Sequence, residues 1–362
     1  MGKINETIWD IEPHTEAKHT ILRKYLDAWI PIISQWAPQF NIIDGFAGPG
    51  EYKGKQEGSP IIVIKSIIGH RVKIKSKVKL LFIENDPERF EFLKSKLNNI
   101  PLPPNVEYGC ECNDFVVVMN GHLDNIANSH TKLAPTFVFI DPFGFKDIPF
   151  SLISKIMNND SCEVLITFMY EEVNRFVDDP RLENTYNQLY GTEEWKNARG
   201  LNDPKERFEV LHNAYMKQLR TIAKYVRSFK MKNKSNKYDY FLFFATKNQL
   251  GMERMKEAMW KVDPKGAYEF SDATHNPFQT QLFEQTPNYA QLKKILVSKF
   301  KGKKVSGEDL KEFVIAETIF TANHYKTTIL KPMEEKKEIR VLSKNPKRRF
   351  GTYPDDVEIE FF

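Results

Sequence analysis

The sequence predicts a doubly wound α/β domain followed by a smaller helical module. Three observations carry that prediction: short apolar runs without polar alternation, helix-like segments between them, and a change of pattern after Asn288 to short helices and a basic hairpin.

The elements follow in order. From Thr15 to Trp36, Ile21, Leu22, Tyr25, Leu26, Trp29, Ile32 and Ile33 recur at three- and four-residue steps, which predicts an amphipathic helix that Pro31 kinks or breaks. Four apolar runs follow, "FNIID" (40–44), "KLLFIEND" (79–86), "TFVFIDP" (136–142) and "CEVLITFMY" (162–170). Helix-like segments separate them, as in strands of a parallel sheet buried on both faces. A helical insertion at about 178–222 precedes two strand-like runs, "AKYVRSFKM" and "YDYFLFFAT", whose polar turn predicts an antiparallel pair. A parallel sheet that ends in an antiparallel hairpin is the order of the Rossmann-like class I methyltransferase fold. The expected division is 1–270 for this domain, 271–288 for a linker and 289–362 for the last module. There, three short helices and a basic hairpin match the layout of a winged helix.

Composition narrows the functional classes. The 362 residues carry a net charge of +5, and no apolar run approaches the length of a membrane span. The amino-terminal segment lacks an apolar signal, so a cytoplasmic protein is expected. Cys110, Cys112 and Cys162 are too few and too irregular for a disulfide framework or a four-ligand zinc site, and His14 and His19 lack a third ligand, so no metal is expected. Lysine and arginine concentrate at 70–79, 230–237, 299–304 and 344–350, each run being either a solvated turn or a polyanion contact.

The chemistry-bearing residues lie at the ends of the apolar runs. In "FNIIDGFAGPGEY", Asp44 closes a strand, and Gly45, Phe46, Gly48 and Gly50 form a turn in which glycine permits close backbone approach to a ligand. The stretch resembles the first motif of class I methyltransferases, which holds S-adenosylmethionine. It departs from the dinucleotide pattern, and Pro49 removes an N–H that a pyrophosphate cradle would use. Glu84 ends the next run, where a carboxylate accepts hydrogen bonds from a ribose diol, while Asp86 before Pro87 is the better helix cap. Asp114 either reaches the adenine amino group or caps its helix.

Asp141, Pro142 and Phe143, in "FIDPFGF", resemble the Asp-Pro-Pro-aromatic motif of amino-directed methyltransferases and, more closely, the Asp-Pro-Phe-Gly form of tRNA guanine-N2 methyltransferases. In that reading the carboxylate and the Pro142 carbonyl accept the two amine hydrogens and the ring stacks a base. The four acids are spaced by 40, 30 and 27 residues, as successive β-α units require. No Pro-Cys dipeptide follows a strand, which disfavours carbon methylation through a cysteine nucleophile. Tyr170, Glu171, Glu172, Asn174 and Arg175 either shape a substrate pocket or begin a solvated helix, and "HTEAKH" (14–19) either closes over the cofactor or is a helix start capped by Thr15. In the last module the expected recognition helix bears Asn323, His324, Lys326 and Thr327 on its outer side. Lys344, Lys347, Arg348 and Arg349 on the wing would grip a nucleic-acid backbone.

Together, "HTEAKHTILRKYLDAW", "IDGFAGPGEY", "FIENDPERFEFL", "FIDPFGF", "MKEAMWKVDPKGAYEFSD" and "FTANHYKTTILKPME" make the chain, over roughly residues 10 to 340, resemble the three-Cys-motif partner family (TcmP). That resemblance implies a methyltransferase-like fold and a partner protein, similar to radical S-adenosylmethionine enzymes, that carries the three-cysteine motif itself. The expected activity is S-adenosylmethionine-dependent methylation of an exocyclic amine of a nucleic-acid base. The alternative is a non-catalytic nucleic-acid or partner-binding protein on the same fold.

Overall fold

The computed structural model describes residues 6–146, 148–273, 288–343 and 345–362. It divides into two compact units, Met1–Asn248 with Glu269–Asn276, and Gln249–Tyr268 with Pro277–Phe362. Most of the expected 271–288 linker lies outside the described residues.

In the first unit the chain runs α1 (Pro13–Ser34), β1 (Gln39–Asp44), α2 (Ser59–Ile68), β2 (Lys77–Ile83), α3 (Pro87–Leu97), β3 (Val106–Glu111), α4 (Phe115–Asn128), β4 (Thr136–Ile140), α5 (Phe150–Met157) and β5 (Cys162–Phe168). The helical insertion follows as α6 (Tyr170–Phe176), α7 (Glu183–Tyr190) and α8 (Pro204–Arg220), then β6 (Tyr225–Lys232) and β7 (Tyr238–Thr246), with β8 (Glu269–Ser271) returning later. The sheet order is β3-β2-β1-β4-β5-β7-β6-β8. β1 to β5 pair in parallel, and β7 runs antiparallel between β5 and β6. This is the Rossmann-like class I methyltransferase arrangement. The switch in strand order falls between β1 and β4, where Asp44 pairs in register with Phe82 on one side and Phe139 on the other. A ligand crevice is expected at that point of an open α/β sheet.

The apolar runs became strands because both faces are covered: every residue of β4 and of β5 is buried. β3 escaped the sequence reading because it is an edge strand of mixed polarity in which only Val106 is buried. β8 and the later β9 are three residues each, too short for a pattern.

Pro31 does not end α1, which continues to Ser34. A proline cannot donate to the carbonyl four residues back. Here His70 supplies the missing donor: its Nδ1 accepts from the Val72 N–H (3.0 Å), so its Nε2 carries the proton and donates to the Asp27 carbonyl at 3.0 Å. Nor does Thr15 cap α1, which begins at Pro13 with Glu12 in the N-cap position.

The second unit holds α9 (Gln249–Val262), α10 (Tyr289–Phe300), β9 (Lys304–Ser306), α11 (Gly307–Glu317), α12 (Ala322–Tyr325), α13 (Lys331–Glu335), β10 (Ile339–Leu342) and β11 (Glu358–Phe361). One π-helical turn, Lys326–Leu330, joins α12 to α13 into a single helical run. Its sheet is antiparallel in the order β10-β11-β9. Leu296, Leu310, Val314, Leu330, Ile339 and Ile359 form the core beneath it. No helix among the described residues is long and apolar enough to cross a membrane.

Candidate functional site

Asp44 ends β1 at the switch point, and the loop after it is stitched across the neighbouring strand ends. The Gly45 N–H donates to the Phe139 carbonyl and the Ala47 N–H to the Ile83 carbonyl, both at 2.9 Å. Gly48 has φ +60°, and a Cβ there would meet nothing within 4 Å. Its backbone therefore needs glycine for conformation, and its outer side faces open space. The Gly48 N–H donates to Glu84 Oε2 and the Asp86 N–H to Glu84 Oε1, each at 2.8 Å. Glu84 thus holds the glycine turn in place and keeps free lone pairs on both oxygens.

Asp44 is fully buried, and its Oδ2 has no hydrogen-bond partner. Burial pushes its carboxyl up to about 7, against the opposing pull of Ser59 and the Phe46 N–H. Thr167, at the end of β5, likewise buries a hydroxyl with no partner.

The β4 exit places Asp141 opposite α1. Asp141 Oδ2 accepts from Lys18 Nζ at 2.5 Å, an ion pair whose lysine side chain is only 7% exposed. Lys18 Nζ also lies 5.2 Å from the centroid of the Tyr240 ring. Beside it His19 is buried, and desolvation together with the Lys18 charge lowers its pKa to about 3, so the ring is neutral. Phe143 stays 43% exposed, with the edge of Trp9 at 5.7 Å and the Arg89 guanidinium 5.1 Å from its centroid.

These groups surround one cleft of about 420 Å³. Its lining includes Phe46, Gly48, Pro49 and Gly50 from the first loop, Asp141, Pro142 and Phe143 from the fourth, and Lys18, Thr167 and Tyr240. Trp9, Asp10, Ile11 and Glu12 line it as well, held partly by the Lys53 N–H donating to the Trp9 carbonyl at 3.0 Å. The volume lies within the range of small-molecule sites.

Asp44, Gly45, Glu84 and Asp114 are not in that lining. Asp44 and Glu84 stand directly behind the loop, whereas Asp114 caps α4, its Oδ1 accepting from the Val116 and Val117 N–H groups at 2.8 and 3.1 Å. Asp86 caps α3 in the same way. Glu171 and Arg175 pair with each other on the surface of α6, while Thr167 and Met169 just before them reach the cleft. Thr167, Tyr240 and Trp9 are not singled out by the sequence, and Lys18 enters there only within "HTEAKH", one reading of which is closure over the cofactor.

The second unit carries the other expected contacts. Asn323 is exposed and Lys326 half-buried, but His324 turns inward. Its Nδ1 accepts from the Thr321 N–H in a capping box, and its ring packs on Trp260 at 4.7 Å. Burial lowers its pKa to about 4. Lys347 and Arg349 are exposed on the hairpin, whereas Arg348 is engaged by Glu334 and by the Thr352 carbonyl, so it supports the hairpin's own packing. Lys344 lies outside the described residues. Among the described residues no cluster of His, Cys, Asp or Glu is placed to hold a metal ion.

No protein-family model matches the sequence, and no curated protein matches it either. Among solved structures, the chain is similar to Trm1 from Pyrococcus horikoshii with S-adenosyl-L-methionine, at 12% identity and a TM-score of 0.37 over 70% of this chain. It spans 61% of the length of that protein. Cofactor-bound Rv0187 from MTB aligns at 13% identity and a TM-score of 0.32, over 63% of this chain and 80% of that one. Precorrin-6y C5,15-methyltransferase from Geobacter metallireducens GS-15 aligns at 9% identity and a TM-score of 0.28, over 61% and 87% of the two chains. The fold assignment rests on the strand order above.

Proposed function

We propose that this chain is an S-adenosylmethionine-dependent methyltransferase acting on an exocyclic amine of a nucleic-acid base, in the cytoplasm. One observation carries the reading: the glycine turn after β1 and the Asp141-Pro142-Phe143 turn after β4 line the same cleft at the switch point of the sheet. The residues present fit the cofactor. Asp44 Oδ2 and Thr167 Oγ1 are buried polar atoms in need of partners, and Gly48 opens toward the cleft. Gly48, Gly50 and Phe46 would hold it directly, with Asp44, Glu84 and Gly45 fixing the loop. Asp114 would join them only by turning its free oxygen from the α4 cap.

When bound, the cofactor supplies a methyl group on a sulfonium. The chain's part is alignment. Asp141 Oδ1 and the Pro142 carbonyl would accept the two amine hydrogens, which aims the nitrogen lone pair, while the half-exposed Phe143 ring stacks the base. The Lys18 ion pair occupies Oδ2 and would leave the other oxygen for the amine. In the second unit, helices followed by a basic hairpin support a winged-helix reading in which Asn323, Lys326, Lys347 and Arg349 contact the polymer.

The test pairs isothermal titration of S-adenosylmethionine with methyl incorporation into mixed DNA and RNA. Binding that Gly48→Val abolishes, and transfer that Asp141→Ala lowers by about two orders of magnitude or more, is the expected result. No heat from the wild type would overturn it.

The Lys18–Asp141 pair also favours a second reading, because the carboxylate meant for the amine already holds an amine. On that reading the fold docks nucleic acid, or a three-Cys-motif protein similar to radical S-adenosylmethionine enzymes, without transferring methyl groups. Cofactor binding with no methyl incorporated into either polymer would select it.

A further inference from the structure

The basic run at 70–79 is not used by the cleft, yet it is built as a rigid surface. From Lys73 to Leu80 exposure alternates strictly: Lys73, Lys75, Lys77 and Lys79 face solvent while Ile74, Ser76, Val78 and Leu80 are buried. Successive cations along such an extended chain stand about 7 Å apart. The segment is pinned from beneath. Asn105 Nδ2 donates to the Ile74 and Ser76 carbonyls at 3.1 and 2.9 Å, Ser76 Oγ donates to the Ala37 carbonyl at 2.7 Å, and His70 is tied to Asp27 in α1.

The charge is one-sided. Arg71, Lys73 and Lys75 are exposed and make no ion pair among the described residues, and Lys77 and Lys79 share the single carboxylate of Glu107 at 3.1 and 3.5 Å. The chain segment that adjoins this row carries an exposed indole. The Lys77 N–H donates to the Pro38 carbonyl at 2.9 Å, which brings the 34–38 segment against it, and Trp36 in that segment is 60% exposed. Val72, within the basic run, is exposed as well. A row of cations flanked by an exposed aromatic ring is the composition of single-strand binding grooves, where phosphates follow the charge and bases stack. A membrane surface fits less well, because the cations run in a line along an extended chain and do not border an amphipathic helix.

We propose that this face, at the amino-terminal end of β2 and away from the cleft, is a binding surface for single-stranded nucleic acid. It stands independently of methyl transfer. Its pre-set backbone means that little ordering is lost on binding.

The experiment uses the full chain and a fluorescein-labelled oligothymidylate of about 20 nucleotides, longer than the ~4–16 nucleotides of single-strand sites. Anisotropy is read across a salt series for the wild type, Lys73→Glu/Lys75→Glu, Trp36→Ala, and Lys347→Glu/Arg349→Glu on the second unit. Loss of two phosphate contacts is expected to lower the slope of log affinity against log salt by about 1.4, and loss of the ring to weaken binding by about fivefold or more. Tryptophan fluorescence is expected to quench on binding in the wild type and not in Trp36→Ala, a comparison that separates Trp36 from the half-buried Trp9, while Trp29, Trp195 and Trp260 are buried. The proposal is overturned if the Lys73/Lys75 and Trp36 variants bind as the wild type does. It is equally overturned if only the Lys347/Arg349 variant loses affinity, or if the Lys73/Lys75 change abolishes binding to phosphatidylserine vesicles and leaves oligonucleotide binding intact. Unchanged thermal melting of these surface variants establishes that they fold.

Discussion

Replacing Asp44 with asparagine is expected to flatten the pH dependence of the first unit's stability. The carboxyl titrates near 3.8 in an unfolded chain and is pushed up to about 7 by burial in the fold. Below 3.8 both states are protonated, and Asp44 contributes no pH slope. Between 3.8 and 7 the unfolded chain releases the proton and the folded one retains it, so stability falls as pH rises, by about 1.4 kcal/mol per unit. Above 7 both are ionised, and the folded state carries the full penalty, on the order of 4 kcal/mol. Glu84 and Glu163 are raised by burial too, so the wild type and the variant will both lose stability toward neutral pH. The difference between them isolates Asp44. Urea midpoints at pH values below, within and above that window measure it: the gap between the two proteins should be flat below 3.8, change steadily toward 7 in favour of Asp44→Asn, and level off above. Parallel curves would refute the claim that burial raises this acid in the fold.

Gly45→Ala would place a methyl 2.5 Å from Cδ2 of the buried Phe115 ring, which itself packs on Phe46. Overpacking of this kind costs about 1–3 kcal/mol, and thermal melting should fall accordingly, while an unchanged melting point would mean the ring yields freely. Lys18→Met leaves Asp141, whose side chain is 20% exposed, without its ammonium. The expected cost is about 3 kcal/mol, the lower end for a broken buried pair, and Lys18→Met/Asp141→Asn should recover most of it; a double variant as unstable as the sum of the two singles would deny the coupling.

Much of the first unit was legible because burial on both faces writes itself as unbroken apolar runs, as in β4 and β5. Asp86 before Pro87 was read as a cap because cap chemistry is local, three residues deep. What the sequence left open involves residues distant in it: of the kink or break expected at Pro31 the break does not occur, with His70 on the Asp27 carbonyl, and Asp141 is paired with Lys18, 123 positions away. His324 and Arg348 looked like outward polar groups until Trp260 and Glu334 claimed them. Glu84 was expected on a sugar, and its carboxylate turns out to brace the glycine turn first, a task the sequence could not reveal because both donors are backbone.

Part of the cleft lining is Trp9 to Glu12, chain that comes before the first helix and is fastened by Trp9 to Tyr52, Phe143 and Arg89. The shape of the cleft therefore depends on the condition of the leading segment. A protease that trims it removes wall residues of the cleft and the ring that packs on Phe143, while the loops after β1 and β4 keep their sequence.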